Sequence, residues 1–195
     1  ALRRQLAALE EALDASEKRN KESTTKISDL SKRLNVALAQ RVQELARYRS
    51  EFFGRLREVL GNRPDVRIVG DRFVFQSEIL FDAGSAQIKP AGYPELDKLA
   101  ATLTEISKKI PKDIPWILRV DGHTDIRPIA TAQFPSNWEL SSARATSVVQ
   151  YLISKGFAPQ HLAAAGFGEF QPIDTGNNED AYRKNRRIEF KLTER

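Results

Sequence analysis

Residues 1–60 contain no proline and one glycine, Gly54, and that absence of helix breakers constrains the chain more than any other feature. Within it Leu2, Leu6, Leu9 and Leu13 alternate steps of four and three, and the same register resumes at Ile27, Leu30 and Leu34. A stripe this narrow, with charged residues on the remaining faces, predicts a coiled coil. Ser16, Asn20 and Ser23 fall on the seam between the two leucine runs and weaken it, although a buried Asn can fix register and oligomer state. After Leu34 the pattern shifts to Leu38, Leu45, Tyr48 and Phe52, an added four-residue step that acts as a stutter and unwinds the supercoil locally. A continuous helix of this length would reach about 90 Å at 1.5 Å per residue. Between a helix folded back on the rest of the chain and a parallel homodimer through the N-terminal helix, the narrow stripe favours the dimeric stalk.

Gly61, Asn62, Arg63 and Pro64 break the helix, which divides the chain into a helical stalk over 1–62 and a globular domain over 63–195. In the domain, 66–69 and 72–75 flank Gly70-Asp71, a two-residue turn with glycine first, and read as a hairpin. Pro90 or Ala91 opens a helix carrying Leu96, Leu99, Leu103 and Ile106, which ends before Pro111. The run WILRV at 116–120, bounded by Pro115 and Gly122, reads as a buried strand, with His123, Thr124 and Asp125 just beyond it. A helix over 138–155, capped by Ser136 or Asn137 and stopped by Gly156, follows. Short strands at 162–165 and 188–192, with a helical turn over 177–184 between them, complete the order. Strands alternating with helices imply an α+β fold, a mixed β-sheet with helices packed on it.

The stretch from Asp121 to Arg144 carries the chemistry. On the helix over 138–155 the inward stripe is Leu140, Val148, Tyr151 and Leu152, and Arg144 lies four residues from both Leu140 and Val148 on that stripe. An arginine placed there is partly desolvated and needs an anion. From the residues alone two readings stay open: a structural ion pair between Asp125 and Arg144, or a site for a small zwitterion. Asp82, in the loop Asp82-Ala83-Gly84-Ser85, either adds a carboxylate or forms the turn that Asp favours.

Four separated motifs in order, FDAGSAQIKPAG at 81–92, GHTD at 122–125, FPSNWELSSARA at 134–145 and NRRIEF at 185–190, resemble the OmpA-like peptidoglycan-binding domain. The FPSNWELS stretch is most similar to the version found in MotB-type flagellar stator B subunits. The resemblance covers roughly residues 65–195 and implies a βαβαβ sandwich that binds peptidoglycan without catalysis. It also implies that Asp125 and Arg144 hold the diaminopimelate of the stem peptide. In the family the 82–85 loop borders the groove and the 185–190 segment lines its far side, which adds Asp82 and Arg186. Thr124, Asn137 and Leu140 are expected as supporting residues. The partner this implies is the cell wall of a Gram-negative bacterium. The location is the periplasm, with an inner-membrane anchor or membrane partner upstream of Ala1.

Other chemistries are weaker. Gly166-Phe167-Gly168 lacks the third glycine of a dinucleotide fingerprint. With two histidines in the chain, His123 and Asp125 have no third metal ligand at typical spacing, so no metal or cofactor is expected. Ser141, His123 and Asp125 could be written as a triad, but no nucleophile elbow accompanies them. A peptidoglycan-remodelling hydrolase using Asp125 and Glu139 is the alternative function, and it requires both carboxylates to flank one cleft. Net charge is +5, yet residues 64–195 hold 17 Lys/Arg and 17 Asp/Glu, so the basic excess sits in the helical segment and does not make the domain a nucleic-acid binder.

Overall fold

The computed structural model describes residues 2–60, 66–110 and 115–194. The chain divides into two compact units, residues 1–46 and 47–195. The break expected at Gly61 to Pro64 and the stop expected at Pro111 lie outside the described residues, as does the side chain of Phe52. Helix α1, Leu2–Leu60, carries the leucine seam, and in the single chain those side chains stand in solvent: Leu6 is 58% exposed, Leu30 64% and Leu34 60%. No helix among the described residues is long and apolar enough to cross a membrane.

Five strands form one mixed sheet in the order β1-β2-β5-β3-β4. Strands β1 (Val66–Val69) and β2 (Arg72–Gln76) pair antiparallel across the Gly70-Asp71 turn, where Gly70 takes φ +60°. The last strand, β5 (Arg187–Glu194), lies between β2 and β3 (Trp116–His123) and runs antiparallel to both, while β4 (Leu162–Gly166) is parallel to β3. Helix α4 (Asn137–Ser154) packs on β3 and β4, and α3 (Tyr93–Ser107) packs against α4. Alternation along the strands sends Phe73, Phe75, Leu118, Val120, Ile188, Phe190 and Leu192 into the core, where Leu96, Leu99, Leu103, Val148 and Leu152 also lie buried.

Four elements depart from the sequence reading. Strand β3 continues through Asp121, Gly122 and His123, paired to Glu189, Ile188 and Arg187 of β5. The apolar run stops at Val120, but Asp121 stays in the sheet because Arg119 donates two bonds to its carboxylate, each 2.7 Å. A single helical turn, α2 (Ser77–Leu80), follows β2, and Ser77 N–H donates to the carbonyl of Arg186 at 2.9 Å. Helix α4 begins one residue earlier than expected because Ser136 caps it, accepting from Trp138 N–H at 3.2 Å. Helix α5 (Glu179–Asn185) is shorter than the expected turn and is capped by Asn178.

Candidate functional site

Two glycines at the ends of β3 and β4 let α4 lie directly on the sheet. A Cβ on Gly122 would sit 2.1 Å from the Ser141 carbonyl oxygen, and one on Gly166 would sit 2.6 Å from Ser142 N. That close approach delivers Arg144, one turn further along α4, towards the loop after α2. Arg144 is 4% exposed; its Nε donates to Ser85 O at 2.8 Å, its Nη2 to Asp82 O at 3.1 Å, and its guanidinium lies 5.3 Å from the Phe81 ring. Burial pushes its pKa down to about 10, against the opposing pull of Glu78 and Asp125.

Asp125 follows the end of β3 and is also buried. Its Oδ1 accepts from the backbone N–H of Arg127 at 2.9 Å, and its Oδ2 accepts from Arg127 Nη2 at 2.6 Å and Arg186 Nη1 at 2.5 Å. Burial alone would raise its pKa, but the bonds from Arg127 and Arg186 outweigh it and hold the carboxyl below its usual range. Arg186 in turn donates to Glu78 at 2.5 Å and Glu179 at 2.8 Å. Burial works against its charge, and the three carboxylate bonds more than compensate, so its pKa is raised. Asn137 donates to the Arg127 carbonyl at 3.0 Å and so fixes the loop beyond Asp125 against the start of α4.

These groups line one groove of about 430 Å³. All seven residues expected at the site, Asp82, Thr124, Asp125, Asn137, Leu140, Arg144 and Arg186, contribute to its wall. Their interactions differ from the simple readings. Arg144 makes no hydrogen bond to Asp125, so the structural ion pair between them does not form, and Asp82 contributes its backbone carbonyl while its side chain is exposed. Sequence reasoning missed Arg127, Glu78 and Glu179. Arg127 had a local signal, since an Asp often accepts from the backbone two residues on; the two glutamates had none. Three buried polar atoms on the groove wall, Ser77 Oγ, Glu78 Oε2 and Thr124 Oγ1, have no hydrogen-bond partner. Orphaned groups of this kind are expected where a ligand completes the bonding.

The rival constellations come apart. Glu139 is exposed, bonded to Ser136 Oγ at 2.5 Å, and is not part of the groove wall, so Asp125 and Glu139 do not flank one cleft as that hydrolysis would require, while the groove's other glutamates, Glu78 and Glu179, are both bonded to Arg186. Ser141 Oγ is engaged between Trp138 O (3.1 Å) and Gly168 N (3.0 Å). His123 stacks on Phe167 with ring centroids 5.0 Å apart and has no hydrogen-bond partner at either nitrogen.

A mixed sheet with the wall of its groove built from the β3 end, α4 and the α2 loop defines an α+β binding module. Residues 80–186 match the OmpA family model, more than half the chain, and the chain belongs to the OmpA family. Among its relatives is the uncharacterized protein YtxE of Bacillus subtilis, 38% identical over 118 residues, which are 60% of this chain and 46% of that protein. Motility protein B of Bacillus subtilis is 31% identical over 121 residues, 62% of this chain and 44% of that protein. The chain therefore spans less than half the length of these relatives. Among solved structures, a MotB-like protein of Desulfovibrio vulgaris shares the fold with a TM-score of 0.65, at 24% identity, over 78% of this chain and 95% of that one. The cell wall anchor of the T6SS from Pseudomonas aeruginosa gives a TM-score of 0.57 at 30% identity, over 75% of this chain and 96% of that one.

Proposed function

We propose that the groove binds peptidoglycan non-covalently through the diaminopimelate of the stem peptide, and that the chain anchors a membrane or envelope complex to the cell wall. The observation that carries this reading is Arg144, a guanidinium 4% exposed whose bonds run to neutral carbonyl oxygens in a groove it shares with Asp125. A buried cation without a bonded counter-ion is costly, and an anionic ligand group would remove that cost. Diaminopimelate ends in an ammonium and a carboxylate on one carbon. Arg144 would clasp the carboxylate with the N–H groups not spent on Ser85 and Asp82, and Asp125 would accept from the ammonium. Thr124 Oγ1 and Ser77 Oγ stand ready as further polar contacts. Family membership and the likeness to the cell wall anchor of the T6SS from Pseudomonas aeruginosa support the same direction.

Bonds to charged groups contribute about 1.5–3 kcal/mol each, so one such site binds weakly. Pairing of two copies through the exposed seam of α1 would supply avidity towards a repetitive polymer. In this reading the chain works in the periplasm, held at the inner membrane by an anchor or membrane partner, and a stator-like motor is one complex it would tether. It carries out no turnover and uses no cofactor or nucleic acid.

The test is Arg144→Lys, assayed by pull-down on purified wall. Lysine keeps the charge but not the planar fork, so the thermal midpoint should hold while affinity for diaminopimelate-type wall drops by about 1–3 kcal/mol, one to two decades in Kd. The native chain should also prefer diaminopimelate-type over lysine-type wall, because a lysine side chain offers Arg144 no carboxylate. Equal binding of both walls by native and variant chains would remove the role of Arg144. Release of soluble muropeptides by the native chain, lost in Asp125→Asn, would make it an enzyme instead.

A further inference from the structure

We infer that Arg127 is a built-in competitor for the groove, its guanidinium occupying the carboxylate face of Asp125 that a ligand's ammonium needs. The inference rests on the ligand reading above and adds to it what sets the affinity. Arg127 reaches Asp125 through its backbone N–H at 2.9 Å, through Nε at 3.2 Å to both oxygens, and through Nη2 at 2.6 Å. Arg186 Nη1 adds a bond at 2.5 Å to the same Oδ2. A carboxylate has roughly four lone-pair sites, so Asp125 is saturated by its own chain and has no acceptor left for an incoming ammonium.

One of the two guanidiniums must yield, and the structure distinguishes them. Arg186 is 20% exposed at its side chain and is bonded also to Glu78 and Glu179. Arg127 is 51% exposed, and among the described residues its other carboxylate contact is Glu179 at 3.1 Å, itself 67% exposed. Its guanidinium lies 4.7 Å from the Tyr182 ring, so Glu179 and Tyr182 can keep hold of it when it leaves Asp125. The backbone bond from Arg127 to Oδ1 does not depend on the side chain and keeps Asp125 oriented throughout.

A competitor tethered two residues away is present at high effective concentration and lowers apparent affinity by the fraction of time the face is free. That reduction falls equally on every ligand that presents an ammonium to Asp125. Arg127 thus sets the threshold, while the preference between ligands remains with Arg144.

The experiment titrates the full chain, native and Arg127→Gln, with soluble muramyl tripeptides ending in diaminopimelate or in lysine, followed by calorimetry. Removing the competitor of a half-exposed pair should tighten both ligands by the same factor, roughly three- to tenfold, and leave their ratio unchanged. Arg127→Met, which retains much of the stem against Tyr182, should behave alike and covers the case in which the glutamine variant fails to fold. Unchanged or weaker binding by both variants, with the native chain binding normally, would overturn the competitor and leave the ligand reading standing. A native chain that binds neither tripeptide would overturn the ligand reading itself, and the competitor with it.

Discussion

At Gly122 a single methyl group decides whether α4 can reach the sheet. The 2.1 Å separation from the Ser141 carbonyl is with backbone, which cannot rotate aside, so Gly122→Ala must push α4 away from the end of β3. We expect a stability loss of about 2–4 kcal/mol by urea unfolding, together with lost wall binding as Arg144 moves off the Asp82 loop. Gly54 makes the opposite case. It lies in α1 with nothing within 4 Å of the position a Cβ would take, so Gly54→Ala should raise helix stability by up to about 1 kcal/mol, read by circular dichroism on heating. Composition treats the two glycines alike; their surroundings give them opposite signs.

At the scale of the element, β3 and β5 carry a charged face opposite the core. Arg187 Nε donates to Glu189 at 2.6 Å, Arg72 donates to the same carboxylate at 2.7 Å, and Arg119 holds Asp121. His123 lies among these groups, 1% exposed, with Glu189 Oε1 3.7 Å from its Nε2. Burial, then the neighbouring Arg187, pushes its pKa down to about 3, against the pull of Glu189. The unfolded chain binds a proton at His123 near pH 6.5 and the folded chain only near 3, so between those values the unfolded state holds more protons. Stability should therefore fall as pH drops from 6.5, by up to about 1.4 kcal/mol per pH unit from this residue. Asp125 and Glu189, with pKa values lowered in the fold, add a further loss once the pH falls through the carboxylate range. His123→Phe, which keeps a ring against Phe167, should flatten the upper part of that slope in urea melts run at a series of pH values.

For the molecule as a whole the exposed seam of α1 bears on how many copies act together. The seam side chains of α1, from Leu2 at 78% exposed to Leu34 at 60%, are unfavourable in water at about 25 cal/mol per Å² of apolar surface, and a second seam would cover them. Sedimentation equilibrium of the full chain at tens of micromolar should give a dimer, and Leu9→Lys with Leu30→Lys should give a monomer. The same pair of substitutions should weaken retention on intact wall far more than binding of a soluble tripeptide, since the former alone depends on avidity. A native chain that sediments as a monomer in that range would end the paired-anchor account.

What the sequence determined by itself was whatever repeats over short spacings. The heptad steps of α1, the stripe of α4 with Arg144 on it, a cap at Ser136 or Asn137, the Gly70 turn and the alternation of Ile188, Phe190 and Leu192 are all local patterns, and the four motifs at 81–92, 122–125, 134–145 and 185–190 carry the seven residues that line one groove. Tertiary structure alone decided which charge meets which. Asp125 had Arg144, Arg127 and Arg186 as possible partners, and the sheet order β1-β2-β5-β3-β4 carried Arg186, 61 residues away, to it while the turn brought Arg127. Arg144 went instead to carbonyls of residues 82 and 85, acceptors that every residue carries and that leave no mark in a sequence. Periodicity fixes which face of an element is buried; which of several arginines meets a given carboxylate depends on separations of a few ångströms, and those are set only once turns and distant strands have been placed side by side.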